Sequence, residues 1–225
     1  MLQEADKYDI KLTLAFNPQW AEYILKDTVK VNLVKLWVKK GHEISFHHHG
    51  IKHVDWNGYS NRPQAKNDSL YLGTVNDGYK FVEYLASPYH VGSGTLTDVP
   101  IDFPSQMDKP GADLIFAEGN ALSSYPQLGQ VKSLKPHRNP KPNGGFRVHF
   151  SIRQYTTAMQ ISLSEAIPIL KEQYKNMSDD DVFGIVWHEY DYYRSKDTYI
   201  KWFKFIQEKG DKVRTVTEIN ALYFK

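Results

Sequence analysis

The spacing of apolar residues predicts helices and strands in alternation along the chain. Valines recur at helical intervals from Thr28 to Lys40, and Gly41 stands where a helix commonly ends. His42 to Phe46 then has the length and composition of a short strand. This order of helix, glycine and strand is the first sign of an α/β architecture.

The same order returns near the end of the chain, with a predicted helix from Lys196 to Lys209, then Gly210, then a predicted strand from Val213 to Val216. A further helix is predicted from Ser164 to Lys175. Other strands are predicted at Ile10 to Phe16, Asp113 to Ala117, Phe146 to Phe150 and Phe183 to Trp187. Alternating strands and helices favour a mostly parallel sheet, either open or closed into a barrel.

Residues 54–143 have a different composition, because most of the eleven prolines and many Gly, Asn and Ser residues lie there. This composition predicts long rim loops around one or two strands. With 225 residues, the chain is expected to form one domain across residues 1–225.

Composition narrows the candidate partners and cofactors. The formal net charge of +2 gives no long-range field to recruit nucleic acid or an anionic membrane. No run of about 18 apolar residues is present, so no membrane span is expected. Without cysteine, a metal would be held by imidazole and carboxylate groups, which suit zinc or another first-row divalent ion.

Four histidines follow the predicted strand that ends at Phe46: His47, His48, His49 and His53. Alternation along a strand would send His47 and His49 to one side and His48 to the other. His49 and His53 have the spacing of one helical turn. Three imidazoles could thus converge on one ion, whereas the alternative is a hydrogen-bonded cluster of loop histidines.

His188 ends another predicted strand and is followed by Glu189 and Asp191. A carboxylate beside a histidine favours imidazolium, so His188 could act as a general acid. A buried histidine with a structural role is the alternative.

Two segments resemble the NodB-type polysaccharide deacetylases of the carbohydrate esterase family 4-like group. Gly41-His42-Glu43-Ile44-Ser45-Phe46-His47, followed by His53, looks like the family's second motif, in which a strand ends in a zinc-binding histidine. The segment Ile185 to His188, followed by a helix, Gly210 and residues 213–219, is similar to its last motif and C-terminal strand. The resemblance covers residues 1–60 and 180–220.

This resemblance implies a distorted (β/α)7-type barrel that removes acetyl groups from a polysaccharide or amino sugar. It implies a divalent metal, zinc by preference, on His47, His49 and His53, with His188 as the catalytic acid. Aromatic rings at Trp56, Tyr59 and Trp187 are expected to contact the carbohydrate. A polymer substrate would suggest export, although residues 1–6 contain no export signal.

The sequence departs from the family pattern at two points. The family's second histidine would fall at Ile51, so the ligand set is drawn from His47, His49 and His53 without a firm order. The family's first strand, which ends in paired aspartates, has no counterpart here. Residues 1–9 are predicted as the end of the helix that would follow it, so the chain is expected to lack that strand.

Two other functions remain open from the sequence. A glycoside hydrolase would use two carboxylates without a metal, and Glu118 with Glu189 or Asp191 are the candidates. A non-catalytic carbohydrate-binding domain would keep the barrel and an aromatic rim, whose candidate residues are Trp56, Tyr59, Tyr89 and Tyr125.

Overall fold

The structure is a computed structural model, and it describes residues 1–48, 58–96, 112–115, 137–140, 146–149, 163–180, 182–185 and 189–223. The elements in chain order are α1 Leu2–Lys7, β1 Thr13–Phe16, α2 Pro18–Leu25, α3 Thr28–Lys39, β2 Glu43–His48, a 3-10 helix Pro63–Asn67, α4 Val75–Ala86, β3 Ser93–Leu96, β4 Ala112–Ile115, β5 His137–Pro140, β6 Phe146–His149, α5 Leu163–Lys175, α6 Glu189–Arg194, α7 Lys196–Lys209 and α8 Val216–Tyr223.

The chain divides into two compact units. The helical unit comprises Met1–Leu12, Ile115–His137 and Phe150–Arg214, and α1, α5, α6 and α7 belong to it. The sheet unit comprises Thr13–Leu114, Arg138–His149 and Thr215–Lys225. None of the helices in the described parts of the chain is long and apolar enough to cross a membrane.

A parallel sheet organises the sheet unit. Strand β2 lies between β1 and β3, with Phe16 opposite Phe46 on one side and His47 opposite Thr95 on the other. Strands β4 and β6 also pair in parallel, and the strand order is β1-β2-β3-β4-β6-β5. Strands β1, β2 and β3 therefore follow one another across the sheet in the order in which they occur in the chain.

The helices that connect these three strands pack together. Helices α2, α3 and α4 contact one another, and each of them contacts β2. Their buried residues form one core with Ile44 and Phe46 of β2, and this core includes Ala21, Ile24, Val34, Val75, Val82 and Leu85. All three helices thus cover the same side of β2.

Local signals explain where these helices begin and end. The Asn17 side chain accepts a hydrogen bond of 2.8 Å from the Trp20 amide, and Pro18 occupies the first turn of α2. Asp27 caps α3 in the same way through the amides of Val29 and Lys30. Gly41 follows α3 with φ of 95°, a value that glycine adopts without the strain of a side chain.

Helix α4 occupies residues 75–86, a part of the 54–143 segment for which long loops around one or two strands were predicted. It begins with a capping box, because the Thr74 side chain accepts from the Asp77 amide and the Asp77 side chain accepts from the Thr74 amide. Gly78 and the nearby Asn residues gave the segment a loop-like composition. A Cβ at Gly78 would lie 2.8 Å from both Pro18 Cγ and Tyr59 Cγ, so the glycine permits close packing within the sheet unit.

The prediction of a strand from Val213 to Val216 is wrong. Residues 211–215 have no regular secondary structure, and α8 begins at Val216. The Thr215 amide donates to Glu218 Oε2 at 2.8 Å, and the Glu218 amide donates back to Thr215 Oγ1 at 3.4 Å. The sequence Thr-x-x-Glu is therefore a helix start. This pattern overlaps the β-branched residues that had suggested a strand.

The helical unit has an aromatic core, and this core explains why the strand predicted to begin at Phe183 is not formed there. Phe183 to Ile185 form no strand, and Val186 and Trp187 lie outside the described residues. The Phe183 ring instead lies 6.0 Å from Tyr174 and 6.2 Å from Trp202, between centroids. The apolar character of Phe183, which had suggested a strand, is explained by this packing against α5 and α7.

Candidate functional site

The two sides of β2 have different environments, because side chains alternate along a strand. Ile44, Phe46 and His48 alternate onto one side, and Ile44 and Phe46 pack into the core formed with the three helices. We call this the helix-facing side. Glu43, Ser45 and His47 occupy the other side, which we call the polar side, and no apolar residue of β2 lies on it.

The Glu43 carboxylate accepts several hydrogen bonds on the polar side. It accepts from the hydroxyl of Thr13 on β1 at 3.1 Å and from the hydroxyl of Ser93 on β3 at 2.6 Å. The Thr217 amide of α8 donates to it at 3.1 Å, and the Thr217 hydroxyl donates as well. The Val216 amide donates to Thr13 Oγ1 at 3.1 Å. We call these residues the Glu43 network.

The network joins the amino ends of three strands to the start of α8. A carboxylate near the first turn of a helix satisfies amides that have no partner within the helix and favourably meets the positive end of its dipole. Glu43 belongs to the Gly41-to-His47 segment, but no role was predicted for it from the sequence. The partners of Glu43 lie as far as 174 positions away in the chain, so no local pattern could reveal them.

His47 lies on the same polar side but near the carboxyl end of β2, where it is partly exposed. Its register partner on β3 is Thr95. Between Glu43 and His47, Ser45 is fully buried, and its hydroxyl has no hydrogen-bond partner among the residues that the structure describes. Along the polar side, Glu43 is therefore held by several hydrogen bonds, whereas His47 is partly exposed.

His48 has a different environment from His47. It is buried, and its ring stacks on Phe46 with centroids 6.0 Å apart and planes 11° apart. Phe46 in turn meets Tyr79 of α4 edge to face at 5.5 Å. His48 is therefore part of the packing between β2 and α4, on the side away from His47.

Tyr59, one of the predicted carbohydrate contacts, is only 5% exposed. Its ring lies 6.5 Å from the Phe81 ring of α4, and burial raises the pKa of its hydroxyl, with smaller contributions from Glu22 and Asp77. The buried ring leaves little surface on which a sugar could stack.

The remaining predicted site residues fall in two groups. Glu189 is exposed at the first position of α6, which also contains Asp191, and Tyr89 is exposed between α4 and β3. The others lie outside the described residues: His49, His53, Trp56, Glu118, Tyr125, Trp187 and His188. Within the ranges that the structure does describe, no three His, Asp or Glu side chains are grouped closely enough to hold a metal ion.

No protein family, curated protein or solved structure matches this chain.

Proposed function

We propose that the chain is a metal-dependent deacetylase that removes acetyl groups from a polysaccharide or amino sugar, built on a distorted (β/α)7-type barrel. His47, His49 and His53 hold a divalent ion, most suitably zinc, and His188 is the catalytic acid. Trp56 and Trp187 contact the carbohydrate. The deacetylase-like sequence segments suggested each of these roles.

The position of His47 is the observation that carries this proposal. In parallel α/β folds, functional groups gather at the carboxyl ends of the strands, where connecting loops begin. His47 is near the carboxyl end of β2, is partly exposed, and lies on the side opposite α2, α3 and α4. Part of the His47 side chain is therefore accessible to solvent, whereas His48 is buried.

The arrangement of the first three strands supports the barrel part of the proposal. An open doubly wound sheet reverses its strand order at a switch point and carries helices on both sides. Here β1, β2 and β3 are in sequential order, and α2, α3 and α4 all contact one another and β2. This one-directional order, with helices on one side, agrees with the winding of a barrel and is also found within one half of a doubly wound sheet.

The donor set fits a catalytic zinc centre in its chemistry. The imidazoles of His47, His49 and His53 would hold the ion, which would supply Lewis-acid chemistry at the acyl carbonyl. His188 holds a proton at the leaving nitrogen or oxygen and transfers it as the acyl bond breaks.

Metal analysis of matched variants tests the proposal. His47→Ala is expected to lower the zinc content of the purified chain and to abolish acetate release from acetylated chito-oligosaccharides. His90→Ala is the control, because His90 is exposed in the segment between α4 and β3 and should leave both readouts unchanged. Retention of stoichiometric zinc in His47→Ala would contradict the assignment.

A companion variant uses the opposite side of the same strand. His48→Ala is expected to lower the free energy of unfolding by about 2 kcal/mol, because it leaves a cavity beside Phe46, while zinc content per folded protein is retained. If His48→Ala releases the metal and His47→Ala does not, the ligand assignment is reversed and the proposed site is wrong.

A further inference from the structure

Helix α3 has apolar residues on two sides. Val34 is buried in the core, and Val31 and Val38 pack against that core. Val29 and Leu36, by contrast, are 78% and 47% exposed, and Leu33 is exposed between them. Spacings of four and three positions place these three residues on one side of the helix, and we call them the outer stripe.

Lysines surround the outer stripe. The segment from Thr28 to His42 contains four lysines and no acidic residue, although the whole chain has a net charge of only +2. Lys35, Lys39 and Lys40 are exposed. The fourth, Lys30, forms an ion pair of 3.1 Å with Asp27.

Exposed aromatic side chains of α2 lie beside this helix. Lys30 Nζ is 4.5 Å from the centroid of the Tyr23 ring, and Tyr23 meets Trp20 edge to face at 6.0 Å. Both aromatic residues are exposed. Trp and Tyr favour the boundary between water and lipid, because each ring has an apolar body and a polar group.

We infer that the outer stripe and its lysines form a docking surface for an anionic lipid surface. Apolar side chains enter the boundary between headgroups and acyl chains while lysines contact the headgroups, which is how basic amphipathic helices lie on membranes. A second copy of this chain fits less well, because stripe-to-stripe packing would bring two sets of lysines together. This inference goes beyond the deacetylase proposal and does not depend on it.

Vesicle co-sedimentation of the full chain tests the inference. The protein is expected to bind vesicles of an equal mixture of phosphatidylcholine and phosphatidylglycerol, to bind phosphatidylcholine alone much more weakly, and to dissociate as salt is raised. Replacing Lys35 and Lys39 by glutamine should weaken binding about fivefold per lysine. The matched control replaces Lys201 and Lys204, exposed lysines of α7, and should change binding little.

The apolar part of the surface has its own pair of variants. Leu36→Glu should weaken vesicle binding about tenfold or more, because a carboxylate replaces an inserted side chain. Leu222→Glu is the control, since Leu222 is 48% exposed on α8 and closely matches Leu36 in type and exposure. Circular dichroism should show that both variants keep the helix content of the original chain.

Two results would overturn the inference. The first is an absence of binding to the mixed vesicles, or binding that Leu36→Glu leaves unchanged. The second is that the original chain does not bind vesicles and forms a dimer in sedimentation velocity, which Leu36→Glu converts to a monomer. That result would make the outer stripe an interface between two copies of the chain.

Discussion

The two sides of β2 show how one short strand can carry a core and a candidate site together. On the helix-facing side, Phe46 is buried among apolar residues of three helices, and His48 stacks on it. On the polar side, Glu43 is surrounded by hydrogen-bond donors, and His47 is partly exposed. Consecutive histidines therefore have different environments only because the backbone alternates between them.

This difference gives each side its own expected phenotype. Substitutions on the helix-facing side remove packing and should change stability alone. Substitutions on the polar side remove hydrogen bonds near Glu43 or, on the proposed function, a metal ligand at His47. Four variants test this separation, in descending order of expected effect.

The largest effect is expected from Phe46→Ala. Phe46 is 2% exposed, so its removal leaves a cavity, and the free energy of unfolding should fall by about 3 to 5 kcal/mol in a denaturant titration. Leu33→Ala is the control, because Leu33 is exposed on α3 and should cost no more than about 0.5 kcal/mol. Similar costs for the two variants would contradict the helix-facing core.

The next effect is expected from Glu43→Ala on the polar side. The variant leaves the donors of Thr13, Ser93 and Thr217 without their acceptor, and the free energy of unfolding should fall by about 2 to 3 kcal/mol. Hydrogen exchange at the Thr217 amide should become faster, because that amide loses its bond.

Glu172→Ala is the matched control for Glu43→Ala. Within the described parts of the chain, Glu172 forms an exposed pair of 3.5 Å with Lys175 on α5, so its loss should cost at most about 1 kcal/mol. If Glu43→Ala lowers the free energy of unfolding by no more than this, or leaves hydrogen exchange at the Thr217 amide unchanged, the Glu43 network does not stabilise the start of α8.

Gly78→Ala tests the close packing behind the helix-facing side. The added Cβ would lie 2.8 Å from Pro18 Cγ, so α2 and α4 must separate, at a cost of about 1 to 3 kcal/mol measured by thermal or denaturant unfolding. Alanine at an unhindered helix position would instead stabilise by up to about 1 kcal/mol. Stabilisation by Gly78→Ala would therefore contradict this close approach.

The smallest effect is expected from Asp77→Asn at the start of α4. Hydrogen bonds from the Thr74 side chain and amide, with a further one from Lys80, hold the pKa of Asp77 below its usual 3.8. Because the folded pKa is lowered, the ionised carboxylate stabilises the fold above pH 3.8, and this contribution disappears as pH falls through the lowered value.

Because Asp77 is partly exposed, the stability difference between the original chain and Asp77→Asn should stay below about 1 kcal/mol at neutral pH. It should shrink further in unfolding titrations carried out in acid. A difference that grows on acidification would contradict the assigned role of Asp77.

The sequence predicted elements well where their signals are local. Helix α7 runs from Lys196 to Lys209 as the apolar spacing and Gly210 indicated, and α3 ends one residue before its predicted end. The start of α4 was missed although Thr74 and Asp77 form a recognisable capping box. The strand predicted at Val213 to Val216 failed because β-branched residues were given more weight than the Thr-x-x-Glu helix start.

For the candidate site too, the features that depend on local sequence were predicted and those that depend on distant contacts were not. Alternation was enough to predict that His47 and His48 point to opposite sides of a strand, and the structure agrees with that. It was not enough to predict which side the helices cover, because that depends on how α2, α3 and α4 pack. The convergence of His47 with His49, His53 and His188 stays a prediction.

The sequence by itself determined the helix ends and the strand alternation, because caps, glycines with positive φ and apolar spacing act over a few residues. Only the tertiary structure decided that Glu43 binds donors from β1, β3 and α8, and that a glycine belongs inside α4. Those features depend on contacts between residues far apart in the chain, for which no local pattern carries a signal.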